Sequence, residues 1–284
     1  MKTILALATV AMVSLAGLAQ SLEELVSQAD AAFQEVWTSE YTLEAHDTLK
    51  ARLEEATSLY EQALAIKPED SHVLLMLARS YYTLADVFLA EENEKKRAYL
   101  KGRDYGFAAL NLCQDVAELR PETKEALFLE AVAACDSVAA CYWLYANWAR
   151  YDEFDKFGAL RRGDAPKLHA LIQRALELDD MYLCAGPYRS MGGFWGGLPS
   201  GILALFMGQW KQDLKKAEEY LTKAVELCPE YLENLRFMVE YCLDPKGEEE
   251  EAQELVDRIL AAPIGDYPLY NSRTKLWARK WGGG

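Results

Sequence analysis

Positive charge is scarce in this sequence. Its 284 residues carry 30 Lys and Arg against 45 Asp and Glu, a formal net charge of -15 at pH 7. A nucleic-acid surface needs clustered cations, so nucleic acid is excluded as a partner. The same sign opposes docking on anionic lipid. Histidine is scarcer still. His46, His72 and His169 lie far apart on polar helical stretches without ligand spacing, so they read as surface residues. The cysteines contain no C-x-x-C pair, and no metal or cofactor is expected. No Gly-Lys-Ser/Thr end marks a phosphate loop, and Ser200 in Gly197-Leu198-Pro199-Ser200-Gly201 stands one place too late for a nucleophile elbow. The carboxylates form no defined pair. The chain therefore reads as a non-enzyme. Sustained period-2 alternation is also missing, so strands cannot be placed.

Apolar residues are plentiful, at 51%, with 11% aromatic, which excludes a disordered chain. Met1-Lys2-Thr3 gives a short cationic start, Ile4 to Val13 is apolar, and Ala16-Gly17-Leu18-Ala19 offers small residues before Gln20. That is the pattern of a cleaved secretory signal over residues 1–19, too short for a spanning helix. No Cys precedes Cys113, so no lipid acceptor is available at the new N-terminus. The mature chain, 20–284, is expected to be exported, and no later window reaches about 18 unbroken apolar residues.

After Ser21 apolar residues recur at three- and four-residue steps, the period of helices. Four segments are alike: Ala56, Tyr60, Ala63, Pro68; Ala109, Cys113, Val116, Pro121; Leu168, Ile172, Ala175, Asp180; and Ala217, Leu221, Ala224, Pro229. Small residues let helices approach, the large one fills the gap, and Pro stops the helix. This is the second helix of a tetratricopeptide (TPR) unit. If Pro68 closes one unit, the next helix should carry large, small and aromatic residues at 77, 78 and 81, where Leu77, Ala78 and Tyr81 stand. Only the interval from Pro229 to Pro263 equals the 34-residue TPR period. The expected fold is all-α: a divergent TPR-like solenoid of stacked antiparallel helix pairs, forming a single domain over 20–284.

Two segments depart from plain repeat chemistry. Asp136, Ala140, Trp143, Asn147 and Arg150 share one helix face, with Tyr142, Tyr145 and Ala149 beside it. Such a mixed face needs polar partners, supplied by a pocket, a partner surface or an internal network. From Ala185 to Gly201, glycines flank aromatics and Arg189, which predicts a sharp bend or tight inter-repeat turn. The apolar run Ile202 to Met207 is expected as a buried helix opening the fourth unit, the alternative being a channel lining or a partner patch. Cys113, at a large core position, reads as a buried thiol. An even cysteine count in an exported chain permits disulfides, but pairing cannot be deduced. Glu248 to Glu251 reads as a solvated helix start.

Taken together, Tyr145-Ala146-Asn147-Trp148-Ala149-Arg150-Tyr151, Tyr188-Arg189-Ser190-Met191-Gly192-Gly193, the Leu198-Pro199 step, Gly208-Gln209-Trp210-Lys211 and Cys228-Pro229-Glu230-Tyr231 carry a resemblance. Over roughly residues 45 to 245 the chain resembles the T-component (TatT) family of tripartite ATP-independent periplasmic (TRAP) transporters. The resemblance implies a periplasmic, non-enzymatic helical protein. It implies association with a TRAP-type solute-binding (P) protein, a homo-oligomer built as a trimer around a pore, and a small hydrophobic or carboxylated ligand. Members can be lipoproteins, whereas this chain lacks the acceptor Cys. Trp143, Asn147, Arg150, Tyr188, Arg189, Phe194 and Trp195 are then the candidate ligand, pore or interface residues, with Arg189 matched to a carboxylate. The alternative is a general periplasmic TPR scaffold for protein–protein interactions, binding partners in a concave groove through Tyr81, Tyr82 and Tyr142.

Overall fold

A computed structural model describes residues 20–116 and 118–281; the export signal expected over 1–19 lies outside the described residues. Every regular element among the described residues is helical. Local sequence explains where several helices begin. Ser21 and Glu24 form a reciprocal capping box at the start of α1 (Leu22–Trp37). After α2 (His46–Ile66), Asp70 caps α3 (Ser71–Thr83) by accepting from the Val73 N–H at 3.1 Å. A π-helical turn (Leu84–Phe88) ends that helix, and α4 (Glu92–Leu112) and α5 (Glu125–Ala134) follow. Ser137 caps α6 (Val138–Glu153), which leads to α7 (Lys156–Arg162) and α8 (Asp164–Leu178). Next come α9 (Tyr182–Gly197), the single turn α10 (Gly201–Ala204) and α11 (Leu214–Leu227), the last capped by Asp213. The chain ends with α12 (Leu232–Met238), a second π-helical turn (Val239–Leu243), α13 (Asp244–Lys246), α14 (Glu249–Ala261) and α15 (Pro268–Ala278).

Neighbours in sequence stack as neighbours in space: α1 on α2, α3 on α4, α9 on α11, α12 on α14. The repeat residues are the glue. Ala56, Tyr60 and Ala63 of α2, Leu77 and Ala78 of α3, Leu168, Ile172 and Ala175 of α8, and Ala217, Leu221 and Ala224 of α11 are all buried. Glu249, Glu250 and Glu251 open α14, as expected. One segment departs from the pattern. Helix α4 ends at Leu112, well before Pro121, so Cys113 lies beyond the helix rather than at a core position. It is not a free thiol but is bonded to Cys135 at the end of α5. A second disulfide joins Cys184 to Cys228, and Cys141 and Cys242 are free and buried.

The array curls until its ends meet. Helix α1 packs on α15; the Trp37 and Tyr270 rings lie 5.2 Å apart, and the Tyr41 N–H donates to the Ser272 hydroxyl at 2.8 Å. Helix α6 runs through the middle, held by α3, α4, α8 and α9. Residues 140 to 148 are consequently buried on every side.

The glycine-rich segment is not the bend that composition suggests. Gly186 to Gly197 are helical, and the bend precedes them at Leu183, Cys184 and Ala185, three consecutive residues at positive φ (48°, 59° and 58°). Most glycines here serve close packing instead. A Cβ at Gly192 would strike the Leu221 side chain, and one at Gly196 would strike the Tyr241 carbonyl oxygen. The run 202 to 207 is not the buried helix expected first. Only Gly201–Ala204 is helical, and Ile202, Leu205 and Phe206 are 79%, 80% and 75% exposed. Residues at both ends of this loop are pinned together, with the Gln212 N–H on the Pro199 carbonyl (3.0 Å) and the Asp213 N–H on the Trp195 carbonyl (3.1 Å). That geometry turns the apolar tip outward.

Candidate functional site

Curling the array encloses a cavity of about 710 Å³, within the range of small-molecule sites. Its walls come mainly from α6, α9 and the α12 region, and its mouth from α7 and the 198–212 loop. Local chemistry fixes each wall. On α9, the positive-φ turn at 183–185 costs roughly 1–2 kcal/mol per residue. Its carbonyls are held: Asn234 Nδ2 and Arg189 both donate to the Cys184 oxygen at 3.4 Å, and the Cys184–Cys228 disulfide clamps the turn to α11. The turn aims Arg189 inward. Its guanidinium donates to Asn234 Oδ1 at 2.8 Å and the Tyr142 hydroxyl at 3.1 Å, and lies over the Tyr231 ring. It is 4% exposed, and no carboxylate among the described residues lies within ion-pair distance of it.

Two π-helical turns meet at the next charge along the wall. Arg150 pairs with Asp86 from the first turn at 3.4 Å and with Glu153 at 3.0 Å, and donates to the hydroxyl of Tyr241 from the second turn at 3.1 Å. A π turn rotates its side chains out of α register, which is how two distant helices converge on one guanidinium. Glu233, buried on the same wall, is paired with Arg236 at 3.2 Å, and burial raises its pKa. Toward the mouth, Arg162 bridges Asp152 (3.0 Å), Asp155 (2.8 Å) and Asp164 (2.8 Å), fastening α7 to α6 and α8. Burial and the adjoining Asp164 carboxyl push Asp152 up to about 8.

Of the seven residues singled out by sequence, Trp143, Arg150, Arg189 and Phe194 line this cavity. The other three do not. Asn147 is wholly buried behind the wall, its amide donating to the Ala78 and Trp143 carbonyls, so it ties α6 to α3. Tyr188 packs beside Tyr220. Trp195 backs Phe194, stacked against Trp210 with Lys216 Nζ 3.7 Å above its ring. His169 is half-buried rather than a free surface residue. It sits against Phe194, Trp195 and Trp210, where burial lowers its pKa. The sequence reading missed Trp37, Tyr231, Glu233, Tyr241 and Tyr270, which also line the cavity. It also missed Arg79, whose charge on the otherwise uncharged stretch Val73 to Thr83 was a usable signal.

Cys184, Cys228 and Glu230 have metal-ligand spacing, but the disulfide engages both sulfurs. No helix among the described residues is long and apolar enough to cross a membrane. The fold and site thus define a class: a helical repeat protein closed around a ligand-sized, aromatic-lined cavity. A family model, the TRAP transporter T-component, matches residues 47–280, and the chain belongs to that family. No curated protein matches it.

Proposed function

We propose that this T-component works in the periplasm without enzymatic activity, docking on a TRAP-type solute-binding P protein. It holds or passes a small hydrophobic or carboxylated ligand through its cavity, and it assembles as a homo-oligomer, a trimer by family resemblance. The observation that carries this reading is the cavity itself, with buried Arg189 in its wall, unpaired with any carboxylate among the described residues, and an apolar rim at its mouth. Phe206 belongs to both, lining the cavity while lying 75% exposed. A ligand handed between two proteins needs their openings apposed, and exposed apolar side chains around an opening are the usual mark of such a contact. The rim of Ile202, Leu205 and Phe206 is therefore the docking face for the P protein. The scaffold alternative is less well supported, because Tyr142 is 5% exposed in the cavity wall rather than presented to a partner in a groove.

The test is capture of the mature protein's partners from periplasmic extract. Recovery of a solute-binding protein at near-equal stoichiometry is the expected result; recovery of envelope-assembly proteins instead would favour the scaffold. A Leu205→Asp/Phe206→Asp variant should lower that recovery on the order of tenfold while keeping its helical circular dichroism, since losing two exposed apolar anchors costs binding, not folding.

A further inference from the structure

One side of the cavity mouth is covered by α7, a helix that packing holds only lightly. Its sequence, Lys156-Phe157-Gly158-Ala159-Leu160-Arg161-Arg162, has just two large apolar side chains, so it has little to bury. Gly158 is its one buried residue, Phe157 is 75% exposed, and Lys156, Ala159 and Leu160 line the cavity. Seven residues are too few to make a helix stable by itself. At its C-terminal end Gly163 takes a φ of 65°, with open space where a side chain would stand. Glycine there leaves the chain free to pivot.

What fastens α7 is one guanidinium. Arg162 donates to Asp152 of α6 at 3.0 Å and to Asp164 of α8 at 2.8 Å; its third partner, Asp155, travels with α7 itself. Among the described residues, no other side-chain hydrogen bond joins α7 to the body. Behind Arg162 the Asp152 and Asp164 carboxyls meet. Each keeps one oxygen, Asp152 Oδ2 and Asp164 Oδ1, buried and without a donor among the described residues. Two buried carboxylates in contact repel, and unpaired buried oxygens are costly. A single proton between them answers both problems, since one carboxyl then donates and the other accepts. Burial and Asp164 push Asp152 up to about 8, against the opposing pull of Arg162 and of Arg103 from α4. Lys96 of α4 acts on Asp155, and Lys167 of α8, itself near Glu122 and Glu125, acts on Asp164.

We propose that α7 is a lid on the cavity, latched by Arg162 to the Asp152–Asp164 pair while that pair shares a proton, and released when the proton leaves. With α7 closed, the pair is shielded from water and keeps the proton. With α7 swung away, water reaches both carboxyls and each returns to the ordinary acidic range. The open form thus binds fewer protons than the closed form, so opening is favoured as pH rises through about 8. Loss of the proton also removes the bond between the two carboxyls and leaves three carboxylates around one guanidinium. Such a lid deepens the functional reading above, on which it rests, by setting when the cavity admits a ligand.

The first measurement is amide hydrogen exchange of the mature protein at pH 7 and pH 9, each corrected for the intrinsic exchange rate. Protection of residues 159–163 should fall on the order of tenfold between the two, the linkage expected when a group at about 8 returns to its ordinary value. Residues 168–175 of α8 should keep theirs. Asp152→Asn, whose amide can donate to Asp164 at any pH, should hold α7 closed at both. Arg162→Gln should loosen it at both. The second measurement is stopped-flow entry of N-phenyl-1-naphthylamine, an uncharged apolar fluorophore, which should quicken with pH in step with α7. Unchanged α7 protection in the wild type overturns the proposal, as does a fall shared equally by α8, or one that persists in folded Asp152→Asn. So does probe entry that ignores the loosening of α7. A probe that does not bind at all counts against the ligand-site reading, while exchange of α7 still decides the latch, so the two failures register separately.

Discussion

At the scale of single residues, Asp152 gives the protein a pH dependence of known sign. Its carboxyl is pushed up to about 8 by burial and by Asp164, far above its value in an unfolded chain. The native state therefore holds a proton that the unfolded state has released, so stability present in acid is lost as pH rises through about 8. The melting temperature of the wild type should fall between pH 5 and pH 9, and Asp152→Asn, which carries a permanent neutral amide, should flatten that fall. A fall of equal size in the variant would show that Asp152 is already ionised near neutrality, held by Arg162. The same scale shows what sequence can and cannot reveal. Trp143 and Asn147 share a face of α6 exactly four apart in register, yet one meets the cavity and the other meets the Ala78 carbonyl. Periodicity gives the face; which neighbouring helix covers each part of it depends on packing that no local pattern encodes.

At the scale of elements, glycine was legible as unusual but not as to purpose. The backbone of α9 approaches the second π-helical turn so closely that a Cβ on Gly196 would overlap the Tyr241 carbonyl oxygen. Ala is favoured over Gly in a helix by about 1 kcal/mol, but forcing a methyl against fixed backbone costs about 1–3 kcal/mol, so the clash should prevail. Gly196→Ala is therefore expected to lower the unfolding midpoint, whereas Gly197→Ala, with the Tyr241 ring at an ordinary 3.4 Å and the same helix preference in its favour, should raise it slightly. Equal midpoints for both variants would mean that the two helices can part without loss. The repeat helices were readable because small–large–small spacing is a packing rule in itself. The end of α4 was not. Its last turn gives way to a loop tied down by the Asn111 side chain, which bonds the Leu119 N–H at 2.7 Å and the Leu119 carbonyl at 3.1 Å, and by the bond from Cys113 to Cys135. Both constraints join residues whose proximity exists only in the folded chain.

At the scale of the whole molecule, the decisive property is closure. Sequence spacing indicated stacked helix pairs, and those are present, but spacing cannot say whether a curved array stays open or meets itself. Here α1 reaches α15, and the contact between Trp37 and Tyr270 is at once the clasp of the array and part of the inner cavity wall. An open repeat array loosens from its two ends independently, because each terminal helix has a neighbour on one side only. In a closed array the ends support each other. Trp37→Ala removes the ring contact at the clasp without changing α15 itself, so amide hydrogen exchange should accelerate in both α1 and α15, while α6, enclosed by four helices, keeps its protection. Acceleration confined to α1 would mean that closure contributes nothing to holding α15, and the cavity would then depend on the central helices alone.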